Sequence, residues 1–124
     1  KKLGNTMNTQ PAPLRTRILI AFKYEMQLAL SAKKARKFDL AFYHYERAHI
    51  LSQKYTIPHI KSHIGMLQIG FVRKDFREIF GQCVRIIAAL IFSKIWVPIG
   101  NSGGANVSAI KPMPIPDDLM QILK

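Results

Sequence analysis

Four side chains in this 124-residue chain have the types and spacing to do chemistry together: Glu46, His49, His59 and His63. Glu46 and His49 make a Glu-x-x-His step, and His59 and His63 make a His-x-x-x-His step. On helices, both steps put the pair on one face. A turn at residues 54–57 folds the two stretches against each other. His49 and His63 then reach similar heights, with Gln53 and His59 nearer the turn. Imidazoles with a carboxylate suit zinc, iron, copper or nickel. Gln53, Arg47 and Tyr45 are at hand to orient such ligands. A di-iron centre needs more carboxylates than Glu46 and Glu25 supply. Zinc hydrolysis needs an open coordination position and a base, and Glu46 is the one base on offer. The plainer reading is a polar seam whose histidines and glutamate bond to each other and to the turn.

The elements that must position these groups are helical. Ile18, Ala21, Phe22, Leu28, Ala29 and Ala32 recur at helical spacing and predict a first helix from about Leu14. It ends in the basic cluster Lys33, Lys34, Arg36 and Lys37, which suits a helix C-terminus. Glu25 falls inside the apolar stripe and is expected either to meet an arginine of another helix or to reach the rim. A second helix runs from about Asp39 to Gln53, with Ala41, Tyr45 and Ala48 on one stripe and Phe42, Glu46, His49 and Gln53 on the next. Pro58 is expected as the first residue of a third helix, where its missing N–H costs nothing. That helix carries Ile60, Ile64, Leu67 and Phe71 on its apolar face. After the polar break 73–75, a fourth helix is predicted from Phe76 to Trp96. Its apolar face of Phe76, Ile79, Phe80, Cys83, Ile86, Ile87 and Leu90 is expected to close the core.

Beyond residue 97 the character changes. The glycine-rich stretch 100–106 disfavours helix and is read as a turn that reverses the chain. It lacks the Gly-Lys-Ser/Thr of a phosphate loop. Pro112, Pro114 and Pro116 at alternate positions predict extended chain, and 117–123 a last short helix with acidic residues in its first turn. Met113, Ile115, Leu119 and Ile122 should bury this tail across the helices.

Hydrophobic residues make up 48% of the chain, enough for a core. Nineteen Lys plus Arg against seven Asp plus Glu give a net charge of +12. That favours encounter with an acidic protein or peptide surface. Nucleic acid fits the charge, but the zinc-finger and RNA-recognition motifs are absent. A lone cysteine, Cys83, excludes an intrachain disulfide and a cysteine metal framework. The run at 86–92 is too short to span a bilayer, and 1–13 has no apolar core of a secretory signal. Residues 1–13 are therefore expected to be a flexible arm, with Met7 a candidate natural start. Residues 14–124 are expected to form one helical domain, capped by 97–124, in the cytoplasm.

Residues 28–54 resemble a tetratricopeptide unit: Leu28, Ala29 and Ala32 on one helix, with Phe38, Ala41, Tyr45 and Ala48 leading into and lying on the next. A weaker echo starts at Arg73. The fold class is thus all-α, with two antiparallel helix hairpins, tetratricopeptide-like or a four-helix bundle, and a Gly/Pro-rich tail. The segments 46–53, 59–67, 81–86 and above all GNSGGANVSAIKPMPIPDDL (100–119) resemble a family of short bacterial proteins catalogued as a domain of unknown function. Ser52 and Ser102 stand where glycine and threonine are associated with that family. The resemblance implies no activity; it associates the chain with heavy-metal-resistance genes.

Two readings of function follow. The first is a non-catalytic interaction module with an acidic partner and no cofactor. The alternative is a metal-binding protein that holds a divalent transition metal with Glu46, His49, His59 and His63. A third, weaker reading is an enzyme that joins that cluster to the glycine loop.

Overall fold

The computed structural model describes residues 10–92, 101–105 and 112–124. Among these the regular elements are five helices: α1 (Leu14–Lys34), α2 (Phe38–Ser52), α3 (Thr56–Arg73), α4 (Phe76–Phe92) and α5 (Asp117–Leu123). Residues 1–9 of the expected arm, the extension of the fourth helix to Trp96, and Gly100 and residues 106–111 of the glycine-to-proline segment lie outside the described residues.

The chain folds into successive hairpins. α1 packs on α2, α2 on α3 and α3 on α4, while α5 lies across α1 and α2. Among the described helices α4 packs on α3 alone. The arrangement is therefore an open row, not the closed ring of a four-helix bundle.

In α1 the buried residues are Ile18, Phe22, Glu25, Ala29 and Ala32. Their alternating steps of four and three make a narrow stripe. Against it α2 sets Ala41, Tyr45 and Ala48, and the alanines let the two backbones approach. Tyr45 then fills the gap toward α3. Its ring lies so close to Gly65 that a Cβ there would sit 2.3 Å from it, so only glycine fits. Ala29, Ala32, Ala41, Phe42, Tyr45, Met66 and Ile69 form one apolar cluster. A second one, Ile18, Ile50, Leu51 and Leu119, brings α5 onto the first hairpin with Ile115 and Ile122 at its edge. Between the clusters Glu25 accepts from Arg47 (Nε–Oε1 2.9 Å) and bonds His44 (Nδ1–Oε2 2.7 Å). Arg47 also pairs with Asp118 of α5. The carboxylate in the apolar stripe thus meets an arginine and a histidine of another helix.

α1 and α3 both end through left-handed residues, Arg36 (φ 59°) and Lys74 (φ 56°). Backbone bonds from Lys37 N to Ala32 O and from Asp75 N to Gly70 O close these caps, the pattern in which glycine is commonest. The third helix begins two residues earlier than expected, and Pro58 is its third residue. The first-turn N–H groups of a helix have no intrahelical partner, so proline is tolerated there too.

The larger departure concerns which way α3 and α4 face. Most of the apolar rows expected on these helices point outward: Ile64, Phe71, Phe76, Phe80, Ile87 and Leu90 are exposed, while Ile60, Leu67, Ile79 and Ile86 are half-buried. Facing inward are His59, Ser62, His63, Gly65, Met66, Ile69 and Gly70 of α3, with Glu78 and Gln82 of α4. The polar groups among them are tolerated inside because the site described next supplies their partners.

Candidate metal centre

His49 comes from the end of α2, and His59 and His63 come from the first half of α3. The tight turn 53–55 holds the two helices antiparallel. The three imidazoles are buried, with exposures of 2%, 8% and 2%. Their ring centroids stand 4.7, 4.7 and 4.8 Å apart, an almost equilateral triangle. The Nε2 atoms point inward: His59 Nε2 lies 2.9 Å from that of His49 and 3.1 Å from that of His63.

The opposite ring nitrogens fix the protons. His49 Nδ1 lies 2.8 Å from the carbonyl oxygen of Asn101. A carbonyl only accepts, so Nδ1 carries the hydrogen. His63 Nδ1 lies 2.6 Å from Gln82 Oε1. The amide cannot be turned round, because Gln82 Nε2 donates to Glu78 Oε1 (2.6 Å) and to the Gly103 carbonyl (2.9 Å). Hence His63 also donates from Nδ1. Both rings then turn an Nε2 lone pair toward the centre, and His59 has at most one proton to offer two acceptors.

The segment 101–105 makes this possible. It lies between α2 and α4, with its carbonyls on His49 and Gln82. Gly103 is at φ +81°, and a Cβ there would lie 2.6 Å from the His49 ring, so both conformation and space demand glycine. Asn101 Oδ1 accepts from Gly103 N at 2.9 Å. The Glu78 carboxylate accepts from Ala105 N, 3.1 Å to each oxygen. The described part of the glycine loop is thus a wall of the site.

Burial is the main cause that lowers all three histidines. His59 is lowered to about 4 and His63 to about 3, the latter also by the His59 and Arg85 charges and partly restored by Gln82. His49 is held well below its ordinary value by burial, then by its two neighbours. All three are neutral near pH 7, the form that ligates a metal. Arg85 stands near enough to act on His49 and His63, and burial lowers its own value.

Of the four sequence-derived candidates, His49, His59 and His63 form the one group of His, Cys, Asp or Glu among the described residues able to share an ion, with ligand atoms within 4.8 Å of one another. Glu46 is not in that group. Three residues on a helix fall about 60° short of a full turn and about 4.5 Å away along the axis, which carries Glu46 off toward α4. Burial pushes its carboxyl up. The nearby Ser102 hydroxyl, which forms no hydrogen bond of good geometry, draws it part of the way back, and the Glu78 charge raises it again. His44 lies elsewhere, on Glu25. Glu78, Gln82 and Asn101 were not anticipated. The signal was the row Glu78, Gln82, Arg85, a polar stripe at steps of four and three along an otherwise apolar helix.

These features define an all-helical chain of consecutive hairpins with three convergent imidazoles between the second and third helices. A family model described as a protein of unknown function (DUF3703) matches residues 16–123, and the chain belongs to that family. The domain of unknown function expected from the sequence is thereby met. Neither a curated protein nor a solved structure matches the chain.

Proposed function

We propose that this chain binds one divalent transition metal ion, zinc foremost, through Nε2 of His49, His59 and His63. One observation carries the reading: at least two buried lone pairs face each other about a common point, each held there by a hydrogen bond from the far side of its ring. Without an ion the lone pairs repel. With one, they are ligands. Zinc–nitrogen distances of about 2.0–2.1 Å imply a tetrahedral nitrogen–nitrogen edge of about 3.3 Å, close to the 2.9 and 3.1 Å found. Three histidines also leave a fourth position for water or another ligand. Gln82 and the Asn101 carbonyl fill the orienting role that ligating histidines require. Glu46 and Glu78 supply negative charge nearby that offsets the ion and Arg85. In this reading Glu46 is a neighbour that tunes the site and not a ligand.

The experiment is metal titration of untagged, chelator-treated protein, with bound metal measured by elemental analysis and cobalt(II) as the optical probe. One equivalent should bind, and cobalt should give the visible bands of four-coordinate geometry. His49→Ala and His63→Ala should each abolish stoichiometric binding. Wild-type protein that takes up no metal overturns the proposal, as does binding that survives in both variants.

A second reading, a non-catalytic interaction module, has its own support in the exposed apolar side of α4. It is compatible with a metal centre on the inner side of the same helix. No helix among the described residues is long and apolar enough to cross a membrane.

A further inference from the structure

We infer that the outer face of α4 is the interface through which two copies of this chain pair. Phe76, Phe80, Cys83, Ile87 and Leu90 follow one another at steps of four, three, four and three, the spacing of a seam between two helices. Val84 and Ile91 widen it. The whole row is exposed: Phe76 is 78% and Phe80 73% open to solvent, and Cys83 is exposed too. None of the described helices other than α3 packs on α4, and α3 lies against its polar inner side.

Area, charge and symmetry point to a second copy as the occupant. Six large side chains at these exposures present on the order of 700 Å², more than the ~300–600 Å² of the largest apolar patch on a typical monomer. A symmetric pair buries about twice that, within the roughly 1,200–2,000 Å² of stable interfaces. The five-residue seam carries no charge of its own: Glu78 and Arg85 turn toward the metal centre, and one exposed cation, Arg77, stands in the Val84–Ile91 row beside it. An acidic partner therefore finds no cationic row along it. An interfacial membrane helix would want lysines and arginines on its polar side, and here that side faces protein. Cys83 is the middle of the five-residue seam, so a two-fold axis there sets it against its own copy. This inference does not rest on the metal reading.

The test is sedimentation analysis of the whole chain across the micromolar range, at low and high salt. The wild type should sediment at twice the monomer mass. The dimer should strengthen as salt rises, because screening relieves repulsion between two +12 chains. Phe80→Glu with Ile87→Glu should raise the dissociation constant roughly 100-fold or more, since each introduces an unpaired charge at the interface. Helical content should persist in that variant, as both positions are exposed. A short bis-maleimide should link wild-type chains through Cys83, with Cys83→Ser as control, which keeps the inference testable if the double variant misfolds. A monomeric wild type overturns it, as does a dimer indifferent to the two glutamates or absence of the Cys83 cross-link. Binding of the monomer to anionic phosphatidylserine vesicles through the same residues does so as well.

Discussion

The two halves of the molecule bury different mixtures of residue. In the first, α1 and α2 turn alanines, Phe22, Tyr45 and Leu51 inward. Its one buried carboxylate, Glu25, is answered by Arg47 and His44. In the second, α3 and α4 turn histidines, serine, glutamate and glutamine inward beside Met66 and Ile69, and show phenylalanine, isoleucine and leucine to the outside. Apolar burial stabilises the first half directly. In the second the inner polar groups must all be hydrogen-bonded merely to offset their desolvation. A region that gives up its best apolar face in this way is arranged around what the inner groups hold.

That contrast can be broken from either side. The largest effect should come from Leu51→Ala in the first half, which should cost about 2–5 kcal/mol in urea unfolding. Phe80→Ala, on a larger side chain, should change the stability of the monomer by less than about 0.5 kcal/mol. Comparable losses at the two positions would erase the distinction. Next comes pH. In metal-free protein the folded chain refuses protons on His59 until about 4 and on His63 until about 3. The unfolded chain accepts them from about 6.5. Protons therefore favour unfolding as pH falls below 6.5. By pH 5 each should have cost about 2 kcal/mol, read as a falling melting temperature. A flat profile from pH 7 to 5 would mean these rings are not buried neutral.

Gln82→Ala frees the His63 ring and should weaken zinc binding about 10–100-fold without removing it. Glu46→Gln should leave the stoichiometry at one and change affinity less than Gln82→Ala does. A larger effect from Glu46 would restore it as a ligand. The smallest change expected is Lys74→Gly, which relieves a left-handed residue at the end of α3 and should raise stability by about 1 kcal/mol, seen in the urea midpoint.

Much of this was legible in the sequence. The stripe of α1, a turn near the expected 54–57 (α3 starts at Thr56 and leaves 53–55 for it) and the one-turn spacing of His59 and His63 set two histidine-bearing helices side by side, and three of the four candidate residues meet. The orientation of α3 and α4 was not legible, because local periodicity assigns the apolar row to the core. What reverses it is the segment at 101–105, whose carbonyls satisfy His49 and Gln82 from 52 and 21 residues away. Within one helix the only hint is the polar stripe Glu78, Gln82 and Arg85, and its partners lie in a distant segment. Glu46 lies outside the imidazole group because a three-residue step shares a helix face only loosely.

The docking of α5 has a consequence for the order in which the chain matures. α1 and α2 are neighbours in sequence and can zip together as they leave the ribosome. Ile18, Ile50 and Leu51 stay wet until Leu119 arrives, and Arg47 waits for Asp118, 71 residues downstream. Closing so long a loop is slow compared with pairing adjacent helices. A nascent chain caught before that moment holds a half-dressed hairpin, the form a chaperone or protease would meet first.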